Sequence, residues 1–371
     1  MESRKRLVLA LNHHEPDRVP LDLGGIVSGI TLRAQRNLLS YLGLSPYEVL
    51  IDRIQQLAKP ADSVLEQFGV DTRYCYLEIP PEVWSTDREG TVWEDEWGIR
   101  RQYTGLYFDM IGHPLDGEIS MKNIKRFSPP DPPPPGVFDS LAQQAELRRG
   151  SGKAVIVNII GSCFEFTWYL RGFVDFLTDL ALEPAKAEAL LDIMLEFQIA
   201  QFSAMLDRMG DLVDVVLVGD DLATQNAPFL SPELYRRYVK PRQHLLYRAI
   251  KKRTQAKLFY HSCGAVASFI PDLIEIGVDI LNPVQVAANG MDPVTLKREF
   301  GNDLVFWGSV DTQRVLPFGN PAEVRDEVRR RIDQLAPGGG FVLAAVHNLQ
   351  ADVPAKNIVA MFDEALKYGS Y

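Results

Sequence analysis

Short, almost continuously apolar runs alternate along the chain with longer stretches whose apolar residues recur at helical spacing. Eight runs read as strands: residues 18–23, 71–77, 154–160, 214–219, 257–260, 279–282, 304–307 and 341–346. Runs such as AVIVNII and FVLAAV are apolar on both faces, as a strand is when both sides of a parallel sheet are covered. Between them, residues 183–209 carry an apolar helical stripe. Residues 231–251 open with Ser231-Pro232-Glu233, a capping residue followed by proline at the first helical position, and residues 321–335 and 354–368 open in a similar way. About eight β/α units joined by right-handed crossovers predict an α/β fold, the TIM (β/α)8 barrel. An open doubly wound sheet is the alternative, weakened because no glycine-rich phosphate turn follows the first strand.

One region breaks the alternation. Residues 80–135 contain Trp84, Trp93, Trp97 and Tyr103, with Asp87-Arg88-Glu89-Gly90 as a turn signal. The run PPDPPPP at 129–135 can be neither a regular helix nor a central strand. We expect an inserted β-hairpin region after the second strand, followed by a proline-rich linker. An insertion on a βα loop either covers the active-site mouth or merely shields barrel helices.

Composition narrows the class. A chain of 371 residues fits one barrel, so residues 1–371 are expected to form a single domain. With 46% hydrophobic and 24% charged residues it can build a core without disulfides or metal. A net charge of −10 argues against nucleic-acid or anionic-membrane partners while leaving room for a local basic pocket. The three cysteines, Cys75, Cys163 and Cys263, are odd in number and widely spaced, which fits a reducing compartment better than a disulfide framework. The segment from Met1 to Arg6 is basic but lacks the apolar core of a signal peptide. No uninterrupted apolar run reaches the roughly 18 residues of a membrane span. A cytoplasmic protein is expected.

Barrel enzymes gather their chemistry at the C-terminal ends of the strands. The fifth strand ends in Tyr260-His261-Ser262-Cys263-Gly264, and residues two apart share a face of an extended chain. An imidazole and a thiolate on one face suit zinc, although a lone cysteine or histidine is more often a packing or hydrogen-bonding residue. The eighth strand delivers His347 to the same mouth, followed by Asn348, so two of the six histidines terminate barrel strands. The fourth strand ends in Asp220-Asp221. Either carboxylate could be a fourth metal ligand, a general base or the partner that orients a ligating histidine; the plainer alternative is a helix cap. Asn158 and Glu165 near the third strand's end and Asp311 after the seventh are candidates for lining a substrate. Phe164, Phe166, Trp168 and Tyr169 either line an aromatic-substrate pocket or pack helix against barrel.

Four segments together resemble a known family: His14-Glu15-Pro16-Asp17-Arg18-Val19-Pro20, His261-Ser262-Cys263-Gly264, Gly308-Ser309-Val310-Asp311-Thr312, and His347 with Pro354 and Asn357 in a His–x6–Pro–x2–Asn pattern. They look like the uroporphyrinogen decarboxylase superfamily over nearly the whole chain. The resemblance implies a TIM barrel and one of two activities. One branch decarboxylates uroporphyrinogen without a metal. The other comprises zinc-dependent methyltransferases that move a methyl group between a small substrate and a separate corrinoid protein.

The methyltransferase branch matches better. Its His-x-Cys pair corresponds to His261 and Cys263, and His347 stands where enzymes with two zinc-binding cysteines carry the second. The decarboxylases carry Met-Arg-Gln-Ala-Gly-Arg after the first strand, where this chain reads Leu21-Asp22-Leu23-Gly24-Gly25-Ile26, without arginine. Their essential aspartate follows the second strand, near Glu78 here. The resemblance therefore implies Zn²⁺ on His261, Cys263 and His347, with catalytic duties for Asp220, Asp221 or Glu78. It also implies a methylated small molecule, such as a methoxylated aromatic or a thiol, as substrate. No Asp-x-His-x-x-Gly corrinoid-binding motif is present, so cobalamin would arrive on a partner docking at the rim near Trp93–Trp97. A metal-free decarboxylase is the second reading, and a non-catalytic binding protein on a barrel scaffold the third.

Overall fold

The apolar runs form a ring. The computed structural model describes residues 1–78, 88–131 and 133–371, so Trp84, Asp87 and Pro132 lie outside the described residues. Seven barrel strands, Thr72–Cys75, Ala154–Gly161, Val215–Gly219, Lys257–His261, Ile280–Asn282, Val305–Trp307 and Phe341–Val342, make one sheet in chain order. Every neighbouring pair is parallel. The first apolar run closes the gap between the outer two. Leu21 bridges Leu343 in parallel, Leu343 N–H donates to Pro20 O at 2.9 Å, and Asp71 N–H donates to Leu21 O at 2.9 Å. The expected TIM barrel is the observed fold.

Alternation along these strands builds two cores. Tyr74, Ile156, Leu217, Phe259, Ile280, Trp307 and Val342 fill the barrel interior, where Leu7 and Leu11 of an N-terminal helix, Ser3–Leu11, join them. The other face packs against the surrounding helices. Burial of each such side chain contributes roughly 1.5–3 kcal/mol. The longest helix, Pro184–Met209, buries Leu190, Leu191, Met194, Phe202 and Met205. By length and composition Pro184–Leu212 could cross a membrane, but this buried stripe makes it a core helix. The helix expected over 231–251 is interrupted: a π-helical turn, Tyr235–Val239, precedes Lys240–Lys251. Pro241 has no N–H to give to the carbonyl four residues back, and the ladder shifts there.

The insertion holds a three-stranded antiparallel sheet, Val92–Glu94, Arg100–Tyr103 and Phe108–Gly112, instead of a single hairpin. Gly90 N–H donates to Tyr103 O, so the turn at Arg88–Gly90 leads into the first of these strands instead of joining two of them. A second small sheet, Ile30–Thr31, Leu57–Ala58 and Leu50–Asp52, went unforeseen because its strands are too short to show a period.

Candidate metal centre

Strand register sets the site. His261 is paired with Gly219 of the fourth strand and with Asn282 of the sixth, so three strands end at one level. Beyond that level the chain turns at Gly264, whose φ is +91°. An added Cβ there would stand 2.4 Å from Thr224 O, so glycine is required by both conformation and space. The eighth strand brings His347 to the same end. One ligand atom each from His261, Cys263 and His347 lies within 4.8 Å of the others. Cys263 Sγ is 3.6 Å from His261 Nε2, and the two imidazole centroids are 5.4 Å apart.

This donor set fits zinc. With Zn–N near 2.0–2.1 Å and Zn–S near 2.3 Å, a tetrahedral N–Zn–S edge spans about 3.6 Å. The tautomer is fixed as well. His261 Nδ1 lies 2.6 Å from Asn282 Oδ1, while Asn282 Nδ2 donates to Trp307 O at 3.1 Å. The carboxamide therefore turns its oxygen to the imidazole, Nδ1 carries the proton, and the Nε2 lone pair faces Cys263. Burial lowers the pKa of His261 to about 4; burial and the neighbouring His261 do the same to His347. Burial, with Asp221 and Glu165 adding to it, holds the Cys263 thiol well above its ordinary value. Two neutral imidazoles and a thiol are a donor set that could hold a cation once the thiol gives up its proton.

The two aspartates divide the work. Asp221 faces the centre: its Oδ1 accepts from Cys263 N–H at 2.8 Å and lies 4.0 Å from His261 Nε2. Asp220, which the sequence offers for the mouth equally with Asp221, faces elsewhere. Its carboxylate accepts from Ser162 Oγ at 2.5 Å, Glu165 N–H at 2.8 Å, Cys163 N–H at 3.3 Å and Gln243 Nε2 at 2.8 Å. It thus caps the N-terminus of helix Phe164–Arg171. Successive residues at a strand's end point opposite ways, so only one of such a pair can face the mouth.

Glu165 joins Asp221. Its Oε2 accepts from Asp221 N–H at 3.3 Å, and Oε1 takes a short hydrogen bond from Tyr169 O–H. Burial, then the Asp221 charge, pushes its pKa up to about 8. The other candidates serve the scaffold in this structure. Asn158 Oδ1 accepts from Ile26 N–H at 2.7 Å, pinning the loop after the first strand. Asp311 Oδ1 accepts from the N–H groups of Gln313 and Arg314, closing a turn. Glu78 is half exposed and pairs with Lys59 at 2.6 Å. Of the aromatic run, Phe164 is core, packed on Phe176, whereas Tyr169 reaches Glu165. Asn282 was missed; a polar residue closing an otherwise apolar buried strand was the available signal.

Comparison with known proteins adds lineage to this geometry. A family model described as Uroporphyrinogen decarboxylase (URO-D) matches residues 114–368. Two curated relatives come from Methanosarcina mazei. A methylated-thiol–coenzyme M methyltransferase is 24% identical over 217 residues, covering 58% of this chain and 54% of that protein. A methylcobamide:CoM methyltransferase is 25% identical over 225 residues, covering 59% and 60%. The matches thus span little more than half the length of these relatives. A solved methyltransferase from Methanosarcina mazei has the same fold, with a TM-score of 0.65 at 17% identity over 99% of each chain.

Proposed function

The chain belongs to the uroporphyrinogen decarboxylase (URO-D) family, and from that premise we propose that it is a zinc-dependent methyltransferase exchanging a methyl group between a small molecule and a separate corrinoid protein. The observation that carries this reading is the convergence of His261, Cys263 and His347 at the barrel mouth, with Nε2 and Sγ one tetrahedral edge apart.

His261, Cys263 and His347 would hold the metal, leaving a fourth position for substrate. Bound there, zinc supplies Lewis acidity toward an ether oxygen or a thiol. Asn282 keeps the His261 ring in its ligating tautomer. Asp221 places Cys263 through its backbone N–H and would offset the positive charge of a bound cation. Glu165, protonated at neutral pH, is the group we assign to proton delivery. With a methyl ether, the carbon–oxygen bond's electron pair would stay on oxygen, and Glu165 would give that oxygen a proton. A corrinoid brought by the partner protein would supply the electron pair that takes up the methyl group.

The family name alone favours decarboxylation. Residues 21–29, LDLGGIVSG, offer no cation to the carboxylates of a tetrapyrrole, and their one charged group, Asp22, is buried under four donors. Metal analysis separates the readings. Purified protein should hold close to one zinc per chain, Cys263→Ala should lose most of it, and uroporphyrinogen should be turned over poorly or not at all. Stoichiometric zinc in Cys263→Ala would overturn the ligand assignment. A zinc-refractory protein that decarboxylates uroporphyrinogen would overturn the function.

A further inference from the structure

Just beyond the seventh strand stands a residue whose backbone and side chain both carry a cost. Ser309 has a φ of +139°, a conformation that glycine enters freely and that residues with a Cβ rarely adopt. It is 0% exposed. Among the described residues, its Oγ has no hydrogen-bond partner. Buried hydroxyl groups without a partner are uncommon in native proteins. Glycine at this position would remove the strain and the orphaned donor together. Strain of this kind persists only where the surrounding structure enforces it, and it gathers at ligand sites.

The strand pairings place the hydroxyl beside the metal centre. Trp307 belongs to the barrel interior and Val310 to the outer core, so alternation leaves Ser309 on the interior side. His261 is paired with Asn282, and Leu281 with Phe306, which sets His261, Asn282 and Trp307 at one level. Ser309 stands two residues beyond Trp307, as Cys263 stands two beyond His261. The chain on each side of Ser309 is tied to a ligating histidine. Trp307 O accepts from the Asn282 carboxamide that meets His261 Nδ1. Val310 O accepts at 2.8 Å from the N–H of Val346, the neighbour of His347. An added Cβ on Gly308 would lie 3.1 Å from Ala345 O and 3.2 Å from Asn282 Nδ2, so the backbone leading into Ser309 is packed against that same carboxamide.

We propose that Ser309 is a ligand-binding residue whose O–H donates a hydrogen bond to the oxygen or sulfur atom occupying the open position of the metal centre. Such an atom is the acceptor that the hydroxyl lacks within the chain. Oxygen and sulfur both keep a lone pair after giving one to the metal. When the carbon–oxygen bond of an ether breaks, its oxygen gains a further pair. A donor already fixed in place then strengthens as charge develops on that atom. Ser309 holds the atom and Glu165 remains the source of the proton.

This inference rests on the reading that His261, Cys263 and His347 hold zinc, and its test needs no turnover. Calorimetry on the zinc-loaded protein would titrate ethanethiol and phenol, with metal content measured before and after. Ser309→Gly keeps the backbone conformation without its strain. It should unfold at or above the wild-type midpoint and hold zinc as tightly as the wild type, while its affinity for at least one probe falls about tenfold. Ser309→Ala keeps the Cβ and loses only the hydroxyl, and it should show the same fall. A fall for phenol alone assigns the hydroxyl to an oxygen ligand, and a fall for ethanethiol alone to a sulfur ligand. Wild-type affinity for both probes in both variants would overturn the proposal, as would a zinc-loaded wild type that binds neither. Loss of zinc from either variant would also overturn it, because the hydroxyl would then support the centre instead of its ligand. A wild type that takes up no zinc would sink the zinc reading and this proposal together, whereas zinc-dependent binding indifferent to Ser309 would sink the proposal alone.

Discussion

Asn282 Oδ1 lies 2.6 Å from His261 Nδ1, and the same carboxamide spans the barrel wall to Trp307 O. The pairing joins the ends of the fifth, sixth and seventh strands and presents one nitrogen of His261 to the centre. Removing it should act on metal before it acts on fold. Asn282→Ala should weaken zinc binding by roughly ten- to a hundredfold, the usual consequence of losing a ligand's hydrogen-bonded partner. It should also cost about 1–3 kcal/mol of stability for the carbonyl left unpaired. Competition with a chelating dye, alongside urea unfolding, checks both; an unchanged zinc affinity would mean that Asn282 does not orient the imidazole.

The ionisation of the three ligands predicts a proton count. The two imidazoles, with pKa values lowered to about 4, are already unprotonated well below neutrality, whereas the Cys263 thiol is held above its usual range. Zinc binding near pH 7 should therefore release about one proton, and log K should rise with a slope of about one per pH unit between about pH 6 and 8. Calorimetry in buffers of different ionisation enthalpy reads this directly. Cys263→Ala should bring the slope close to zero. A slope of two or more in the wild type would show that a histidine, too, must lose a proton.

Much of this was legible in the chain because its signals were local and periodic. The buried strands announced themselves as apolar runs, and a barrel then fixes which ends share a mouth, so His261, Cys263 and His347 could be grouped without any knowledge of distance. What failed was finer than the period. At 220–221 the residue type was right and the direction was ambiguous, since a one-residue shift at a strand's end reverses the face. Asn158 and Asp311 are polar residues at barrel strand ends whose oxygens are consumed by backbone N–H groups. Nothing in sequence separates such closure of loops from contact with substrate.

Glu165 is built at a cost in stability, and the cost has a sign. Its pKa rises from an ordinary 4.5 to about 8 in the folded chain. A carboxyl raised in this way stabilises the fold fully below the unfolded value and loses that contribution as pH climbs through the folded value. Wild-type stability should thus decline between about pH 4.5 and 8 from this group. Glu165→Gln, which cannot ionise, should escape the decline. The variant should melt a few degrees above the wild type at pH 8, with a smaller gap at pH 5, while its methyl transfer from an ether falls. Thermal unfolding at the two pH values tests this; a variant less stable at both would mean that the carboxyl is not held protonated beside Asp221.

The two adjacent aspartates should respond to the same substitution in opposite ways. Asp220 is fully buried and accepts four hydrogen bonds, two from backbone N–H groups at the start of helix Phe164–Arg171. Asp220→Asn replaces one accepting oxygen with an N–H₂ group, which must face donors of the same kind. The loss should be about 2–4 kcal/mol, as for a buried network with one partner reversed. Zinc affinity should stay close to that of the wild type at temperatures where the variant is folded. Asp221 instead keeps its accepting oxygen toward Cys263 N–H if the carboxamide is placed oxygen first, so Asp221→Asn should unfold close to the wild-type midpoint. What it loses is the negative charge 4.0 Å from His261 Nε2. That charge favours a cation between the ligands, and its removal should weaken zinc binding and methyl transfer by about ten- to a hundredfold. Melting temperature and zinc affinity measured on both variants form a crossed pair. If Asp220→Asn were the variant that lost zinc while retaining its midpoint, the roles assigned to the two carboxylates would have to be exchanged.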